Sequence, residues 1–412
     1  MAPRRRRGAD AAEEEPQQPE SDAPKNKPPN TAFRQQRMKA WQCVLTPKLI
    51  VTIFSILAAI YLGFGAYLTY VAHTVRDLTI DYTDCVGRAP RDSFATIPKD
   101  LIAAHFGTAA NQTLDPYAAS WKHEKRNITY HGDFSLESDI CVVQFNIPED
   151  LKPGVLFYYY LENFYQNHRR YVSSFSAKQL LGDAVDGGTI NSSSCEPVTH
   201  AEDGKIIYPC GIIANSMFND TFSSPVLLNT RRNNNASEVY EMQNNTGIVW
   251  PGLRDLYGDT QYKLDQIAPP PNWRDAYPNG SYSEAAPPPN LKEWEAFQNW
   301  MMLAASPSFY KLYQRNDRDV MFAGRYQVDI KSIFDTNLYN GRKSFVITTL
   351  STMGSRNIWP GIIFLIVGGI CLILDVYFIL SFFLWKPRKL GDPSYLSWNQ
   401  PQAPAPAAHS AS

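Results

Sequence analysis

LIVTIFSILAAIYLGFGAYLTYV (residues 49–71) and IWPGIIFLIVGGICLILDVYFILSFFLW (residues 358–385) are the two long apolar stretches of this 412-residue chain. The first carries no charge, and at about 1.5 Å per residue a helix of this length crosses a hydrocarbon core of about 30 Å. The second is longer, so it should tilt or protrude. Two membrane-spanning helices are therefore predicted on either side of residues 73–357, which should form the folded domain.

Basic residues outside the two spans indicate the orientation. Those before the first span and after the second are Arg34, Arg37, Lys39, Lys48, Lys386, Arg388 and Lys389. Because Lys and Arg accumulate on the cytosolic side, both ends of the chain are expected there. Arg342, Lys343 and Arg356 weaken this argument, since they lie on the loop side of the second span.

The loop between the spans has the composition of a lumenal or extracellular domain. Its seven N-x-[ST] sequons are Asn111, Asn127, Asn191, Asn219, Asn235, Asn244 and Asn279. A sequon is a signal for N-linked glycosylation only on that side of the membrane. N-linked glycans are therefore expected, and no cofactor or metal is predicted.

Cysteine usage agrees with that location. Cys85, Cys141, Cys195 and Cys210 lie in the loop, where an oxidising environment favours disulfides. Four cysteines allow three pairings. We favour Cys85–Cys141 and Cys195–Cys210, because sequential pairs close the least chain. In the chain-entropy model these two disulfides stabilise the fold by about 4 and about 3 kcal/mol, respectively. Cys43 and Cys371 are predicted to be unpaired.

The remaining segments lie on the cytosolic side. Residues 1–30, rich in Arg, Glu and Pro, are predicted to be a disordered tail. Residues 31–48 mix basic and aromatic residues, which suits the headgroup zone, with Trp41 as an interfacial anchor. Residues 386–412 are rich in Pro and Ala and are predicted to be a second tail.

Inside the loop, strand signals predominate. The β-branched and aromatic stretches are 79–82, 140–147, 155–161, 325–334 and 344–350. Their wide separation along the chain favours an antiparallel sandwich. One helix is predicted over 291–305, and the proline-rich stretch 268–290 is interpreted as an extended surface excursion. The fold class is thus an α+β membrane protein: two transmembrane helices flank a β-sandwich ectodomain with few helices.

Motifs for catalysis are missing from the sequence. There is no metal-ligand spacing, nucleophile elbow, P-loop or dinucleotide fingerprint. A net charge of −1 offers no basis for nucleic-acid binding. A subunit of a membrane complex, a two-span receptor or adhesion glycoprotein, and a lumenal hydrolase with an unrecognised carboxylate pair remain as alternatives.

Two groups of residues suggest contact with a partner. Asp375 is a carboxylate within the second span, so it is expected to be protonated or paired with another helix, including a helix of a partner. Gly361, Gly368 and Gly369 fall near one face of that span and permit close helix contact. In the loop, His168, Arg169 and Arg170 are interpreted first as polar side chains that hydrogen-bond a loop beside an aromatic strand. A catalytic His is an alternative, and the same mix of Tyr, Arg and His suits a protein-binding surface.

Three segments, NFYQNHRRYVSS (163–174), CGIIANSMFNDTF (210–222) and TAFRQQRMKAWQ (31–42), resemble hallmarks of one family. It comprises the accessory, or beta, subunits of type IV P-type ATPases, the lipid flippases, and is called the ligand-effect-modulator or cell-division-control family. DYTDC (81–85), FQNWMMLAASPSFYKLYQR (297–315) and LGDPSYLSWN (390–399) also match, the last being similar to fungal members. The resemblance runs from Thr31 to Asn399.

The resemblance implies a non-catalytic subunit that forms a heterodimer with the ATPase in the membrane. The ATPase would move phospholipid from the exoplasmic to the cytosolic leaflet, in the endoplasmic reticulum, Golgi, endosome or plasma membrane. The subunit would be required for its stability, export from the endoplasmic reticulum and transport cycle. The family also implies the two sequential disulfides and a glycan on Asn219. The contact candidates are Phe33, Arg34, Trp41, Asn163, Tyr165, His168, Arg169, Arg170 and Asp375.

Overall fold

The computed structural model describes residues 31–34, 36, 38, 46–107, 113–130, 134–191, 194–228, 237–352, 354 and 356–384. The predicted tails 1–30 and 386–412 lie outside these residues, as do Trp41, Asn111 and Asn235.

The α-helices include two long ones at the ends of the described chain and short ones between them. They are α1 (Pro47–Thr74), α2 (Cys85–Arg88), α3 (Arg169–Val172), α4 (Ala177–Leu180), α5 (Gly187–Asn191), α6 (Ile212–Asn215), α7 (Glu295–Met301) and α8 (Trp359–Leu384). Short 3-10 helices lie at Lys99–Leu101, Pro251–Leu256, Pro271–Ala276, Pro278–Gly280 and Asn337–Tyr339.

Helices α1 and α8 coincide closely with the two predicted spans. The hydroxyl of Thr46 accepts a hydrogen bond from the backbone N–H of Leu49 at 3.3 Å, and Pro47 occupies the first helical position, so the start of α1 is defined by its sequence. Both helices are long and apolar enough to cross a membrane. Many of their large apolar side chains are exposed, as expected for surfaces that face lipid or another membrane helix.

The strands between these helices are mostly short at the periphery and long in the centre. They are β1 (Asp77–Asp81), β2 (Ala95–Thr96), β3 (Ile102–His105), β4 (Ser120–Thr129), β5 (Ser135–Ile147), β6 (Val155–Glu162), β7 (Ile206–Ile207), β8 (Thr221–Phe222), β9 (Val226–Leu227), β10 (Glu238–Val239), β11 (Ile267–Ala268), β12 (Phe309–Asn316), β13 (Gly324–Lys331) and β14 (Arg342–Thr349).

Two antiparallel sheets form the sandwich that the sequence predicts. The first has the strand order β12-β6-β14-β1-β3, and the second has the order β10-β9-β13-β5-β4-β2, with β8 beside β13. Strands β7 and β11 form a separate parallel pair.

The core lies between the two sheets. It is formed by every second residue of the strands, because successive side chains point to opposite faces of a sheet. In β13, Tyr326, Val328 and Ile330 are buried while the residues between them are partly exposed. Across the sandwich, the ring centroids of Phe145 and Phe345 lie 5.7 Å apart. This aromatic packing explains the high aromatic content of the chain.

The proline-rich stretch 268–290 is not the extended surface excursion that its composition suggests, and that interpretation is wrong. Pro271 and Pro278 begin 3-10 helices, a position where a missing N–H costs no hydrogen bond. Trp273, Tyr277 and Tyr282 are buried in a second apolar cluster with Phe297. The aromatic residues between the prolines therefore decide the structure of this segment.

The helix predicted over 291–305 is shorter than expected, because α7 covers only Glu295–Met301. Upstream of it, Gln298 Nε2 donates to the carbonyl of Leu291 at 2.8 Å, which stabilises a turn. Downstream, Lys311 Nζ donates to the carbonyls of Asn299, at 2.7 Å, and of Met302. These side-chain contacts, one from within α7 and one from Lys311 of β12, replace the hydrogen bonds that would have extended the helix.

Candidate partner-binding site

The segment Asn163–Val172 follows the central strand β6, and its side chains alternate between surface and core. Seven of its residues are exposed, and five of these are the ones that the sequence singled out: Asn163, Tyr165, His168, Arg169 and Arg170. The structure therefore places all five candidates at the surface, and we name this stretch the 163–170 surface.

Inward-facing side chains hold this segment against the core of the ectodomain. The ring of Phe164 packs on Trp300 and Tyr339, at centroid distances of 5.6 and 5.2 Å. Gln166 is 0% exposed, and its Oε1 accepts a hydrogen bond from the backbone N–H of Ala304 at 2.8 Å. The 163–170 surface therefore has a defined conformation before any partner arrives.

The two ends of the segment are also held. Asn163 adopts a left-handed backbone conformation with φ of 62°, and its Nδ2 donates to the carbonyl of Tyr339 at 2.6 Å. Tyr171 shares a hydrogen bond of 2.8 Å with the hydroxyl of Ser216. Burial raises the pKa of Tyr171 to about 12, so its phenol stays neutral at physiological pH.

The basic side chains of this surface are available to a partner. Among the described residues, none forms an ion pair or a hydrogen bond with the side chain of His168, Arg169 or Arg170. An unpaired guanidinium recognises carboxylate or phosphate groups by two parallel hydrogen bonds. The 163–170 surface thus combines an exposed Tyr with two free Arg side chains, a composition typical of protein interfaces.

Helices α1 and α8 approach each other closely at three glycines, Gly65 of α1 and Gly361 and Gly368 of α8. A Cβ atom added at Gly361 would lie 2.9 Å from the backbone nitrogen of Thr69, and one added at Gly368 would lie 2.9 Å from that of Leu62. Gly369 has open space instead, so the prediction that it shares this contact face is wrong. Of the three glycines named from the sequence, Gly361 and Gly368, seven residues apart, lie on the face of α8 that meets α1.

Asp375 is paired within the chain. Ser55 Oγ, on α1, donates to Asp375 Oδ2 at 2.7 Å, and Asp375 is 6% exposed. Nearby, the rings of Phe54 and Phe378 pack at 5.8 Å. Within the part of the chain that the structure describes, Asp375 Oδ1 has no hydrogen-bond partner. One carboxyl oxygen therefore joins the two helices, and the other is buried beside them without a hydrogen-bond partner among the described residues.

The structure contains both expected disulfides. Cys85, in α2, pairs with Cys141, in β5, across a Cα separation of 6.0 Å. Because β1 leads directly into α2, this bond connects the two sheets. Cys195 pairs with Cys210, at a Cα separation of 5.7 Å, and is buried in a small cluster of its own with Ile190.

The predicted glycosylation sites differ in their surroundings. Asn127, Asn191, Asn244 and Asn279 are exposed, as an attached glycan requires. Asn219 is only partly exposed and lies in the wall of a cavity. Of the cytosolic candidates, Phe33 and Arg34 are exposed.

One buried polar centre escaped the sequence reasoning. Lys343 Nζ lies 2.8 Å from Asp220 Oδ2, and the Tyr82 hydroxyl donates to the same oxygen at 2.9 Å. Burial, and then Asp220, raise the pKa of Tyr82. A lysine within the apolar strand β14 was the only available signal. Two of the three basic residues on the loop side of the second span are thus near carboxylates, since Lys343 pairs with Asp220 and Arg356 lies 4.0 Å from Asp77.

Comparison with known proteins agrees with this architecture. The profile of the LEM3 (ligand-effect modulator 3) family / CDC50 family matches residues 68–389. The chain is 67% identical over 406 residues to the "Phospholipid-transporting ATPase accessory subunit CDC50" of Chaetomium thermophilum, across 98% of this chain and 99% of that protein.

Two relatives from Saccharomyces cerevisiae are more distant. The accessory subunit CRF1 is 36% identical over 378 residues, across 92% of this chain and 90% of that protein. The accessory subunit LEM3 is 36% identical over 401 residues, across 96% and 93%. With the two apolar helices, the antiparallel sandwich and the matched 163–174 segment, these similarities establish that the chain belongs to the LEM3/CDC50 family.

Proposed function

We propose that this chain is the non-catalytic subunit of a type IV P-type ATPase that moves phospholipid from the exoplasmic to the cytosolic leaflet. The observation that carries the proposal is its similarity to a phospholipid-transporting ATPase accessory subunit over 98% of one chain and 99% of the other. The match includes both membrane helices and the whole ectodomain, so the entire architecture is shared.

The membrane helices supply the first contact area. Gly361 and Gly368 allow α8 to pack closely against α1, so each helix already covers part of the other's apolar surface. Large apolar side chains remain exposed, among them Ile56 and Tyr67 on α1 and Ile366 and Ile373 on α8. In a heterodimer some of this area packs against ATPase helices.

The ectodomain supplies the second contact area through the 163–170 surface. Arg169 and Arg170 are exposed without partners among the described residues, so they suit an acidic patch on the exoplasmic loops of the ATPase. Phe164 and Gln166 hold the segment in place, which lowers the conformational entropy lost on binding.

These contacts explain how a subunit without catalytic groups supports transport. Binding to the folded ATPase stabilises it by mass action, and this protects it during export from the endoplasmic reticulum. A sandwich joined by a disulfide between its sheets and fixed to two paired helices forms a stiff brace on the exoplasmic side. Such a brace favours those states of the cycle in which the exoplasmic loops match its surface.

The test is to express a candidate ATPase with and without this chain and to purify both in mild detergent. We expect an equimolar complex, and we expect the ATPase alone to lose export and lipid-stimulated ATP hydrolysis. Unchanged folding, export and activity without this chain would refute the proposal. Recovery of the chain without any ATPase would instead support a receptor or adhesion role, and turnover by this chain alone would support a lumenal hydrolase.

A further inference from the structure

An apolar ridge is exposed on the 3-10 helix Pro251–Leu256 of the ectodomain. Leu253 and Leu256 are three residues apart, and because a 3-10 helix has three residues per turn, their side chains lie on one side of it. Trp250 occupies the N-cap of this helix and is 76% exposed, and Leu256 is 57% exposed. We name Trp250, Leu253 and Leu256 the 250–256 ridge. Large apolar side chains grouped at a surface indicate contact with another apolar surface.

Hydrogen bonds hold this helix in a defined position. The buried carboxylate of Glu295, at the start of α7, accepts a hydrogen bond from the backbone N–H of Ile248 at 2.7 Å. Within the helix, Arg254 Nε donates to the carbonyl of Lys292 at 3.2 Å. The 250–256 ridge is therefore exposed on a backbone that the rest of the ectodomain holds in place.

The position of the ridge follows from the pairing of strands in the first sheet. Strands β1 and β14 connect to α1 and α8 at one end of this sheet, where Asp77 pairs with Thr348. The row of paired residues continues from Thr348 to Leu156 of β6, and from Leu156 to Arg315 of β12. This row therefore lies at the end of the sheet that is nearest to the membrane.

Arg315 connects this row to the ridge. Its Nη1 donates to the carbonyl of Gly247 at 2.9 Å. Trp250 follows Gly247 by three residues, so it lies within about 10 Å of that residue, because an extended chain advances at most about 3.5 Å per residue. The row is itself close to the bilayer, since Asp77 is only three residues beyond the end of α1. The 250–256 ridge is thus at the membrane-proximal end of the ectodomain.

A second exposed tryptophan marks the level of the membrane surface. Among the described tryptophans, Trp121, Trp273 and Trp300 are buried, whereas Trp359 is 68% exposed. Trp359 is the first residue of α8, where a span meets the membrane surface. Tryptophan is enriched at that surface because its ring is apolar and carries one polar N–H. The exposure of Trp250 at the same end of the ectodomain suits the same environment.

We propose that the 250–256 ridge inserts into the headgroup region of the lipid bilayer on the ectodomain side and forms a third membrane contact beside α1 and α8. Lipid is its partner, because the two spans bring the bilayer surface to this end of the sheet. Strand β12 is the third strand from β1, which is about 14 Å at about 4.8 Å per strand. A contact displaced this far from α1 limits the tilt of the ectodomain over the membrane.

Tryptophan fluorescence of the full chain in phosphatidylcholine nanodiscs tests this contact. The emission of Trp250 is the difference between the wild type and Trp250→Phe. Lipids with bromine on the acyl chain near the headgroup quench tryptophans that reach the bilayer, and iodide quenches those in water. We expect brominated lipid to reduce the Trp250 signal at least about twofold, and iodide to reduce it little. Trp359→Phe gives the reference signal for a tryptophan at the end of a span.

Two exposed leucines provide a test variant and its control, each measured by the same difference. Leu256→Lys places a charge in the ridge, so iodide should then quench Trp250. Leu338→Lys should leave Trp250 protected, because Leu338 is 86% exposed but precedes β14 at the end away from the spans.

Two results would overturn the proposal. One is strong quenching of wild-type Trp250 by iodide with none by brominated lipid, because the ridge then faces water. The other is protection of Trp250 from both quenchers that is present only when a candidate ATPase is bound, because a protein surface then covers the ridge.

Discussion

Lys343 and Asp220 form a buried ion pair, with Nζ and Oδ2 2.8 Å apart and side chains 4% and 0% exposed. The remaining donors of the ammonium group go to the hydroxyl of Ser332, at 2.9 Å, and to the carbonyl of Phe334, at 2.7 Å. Asp220 Oδ1 accepts from the backbone N–H of Phe334 at 2.6 Å. Because Lys343 belongs to the first sheet and Asp220 directly precedes a strand of the second, the pair joins both layers.

Removing one member of this pair should strongly destabilise the fold. Lys343→Met leaves the Asp220 carboxylate buried without its counter-charge, and we expect a loss of about 3–5 kcal/mol in the free energy of unfolding. Lys125→Met is the matched control, because its pair with Glu137, at 3.1 Å, is exposed and should contribute less than about 1 kcal/mol. Thermal unfolding of the purified full chain measures both. Similar melting temperatures for the two variants would contradict the structural role.

The contact between α1 and α8 predicts different outcomes for adjacent residues. Gly368→Leu forces side-chain atoms into the backbone of Leu62 and should reduce the yield of folded protein several-fold. Gly369→Leu should have little effect, since the space there is open. Fluorescence-detected gel filtration in detergent compares the two variants. Equal yields would show that the helices do not meet at Gly368.

The carboxyl group of Asp375 is expected to act in complex formation. Asp375→Leu removes the bond to Ser55 and the carboxyl group itself, and recovery of the ATPase complex should fall about threefold to tenfold, the range expected for an interhelical hydrogen bond in a membrane. Ser55→Ala removes only the internal bond and should have a smaller effect. The measurement is the amount of co-purified ATPase per mole of this chain, and unchanged recovery for Asp375→Leu would refute the pairing.

Charge reversal tests the 163–170 surface. Arg169→Glu and Arg170→Glu should weaken binding to the ATPase, with a larger effect at low salt, because rim charges act over a distance that salt shortens. Neither change should lower thermal stability, since both side chains are exposed. Lys263→Glu, at another exposed position, is the control. Equal retention of the partner by all three variants at low salt would exclude this surface as a contact.

Lys311 predicts a pH dependence of stability. Burial lowers the pKa of its ammonium group to about 8 from an unfolded value of 10.5. Between these values the unfolded chain binds more protons than the folded chain, so stability rises with pH across this window and is lost as pH falls through about 8. The lowered pKa corresponds to on the order of 3 kcal/mol.

A comparison with Lys311→Met isolates this effect. The melting temperature of the wild type should rise relative to that of the variant from pH 7.5 to 9.5, below the range in which buried tyrosines titrate. The informative quantity is how the difference in melting temperature between wild type and variant changes with pH. The variant also loses the hydrogen bond to the carbonyl of Asn299, and that loss shifts its stability at every pH. A constant difference across the range would show that Lys311 keeps an ordinary pKa.

Local patterns in the sequence predicted the spans and the central strands. The uncharged run of α1 and the alternation of Tyr326, Val328 and Ile330 in β13 each depend on neighbouring residues, so the sequence contains the whole signal. The exposed candidates in the 163–170 surface were also found, because Tyr and Arg beside a strand are typical of interfaces.

Interactions between distant residues were not predictable. Asp220 and Lys343 are 123 positions apart, and Ser55 and Asp375 are 320 positions apart. The end of α7 depends on Lys311, which lies in a later strand. The burial of Trp273 contradicted the composition around it, because proline content describes the backbone and not the packing of the residues between prolines.

The glycine contacts of α8 have a consequence for exchanging parts between related subunits. Gly361 and Gly368 fit the backbone of one particular neighbour, so each helix is shaped to the other. A chimaera that takes only one of these helices from a relative joins surfaces that were not fitted together. Selectivity for a given ATPase that resides in the membrane should therefore transfer only when both helices are moved as a set.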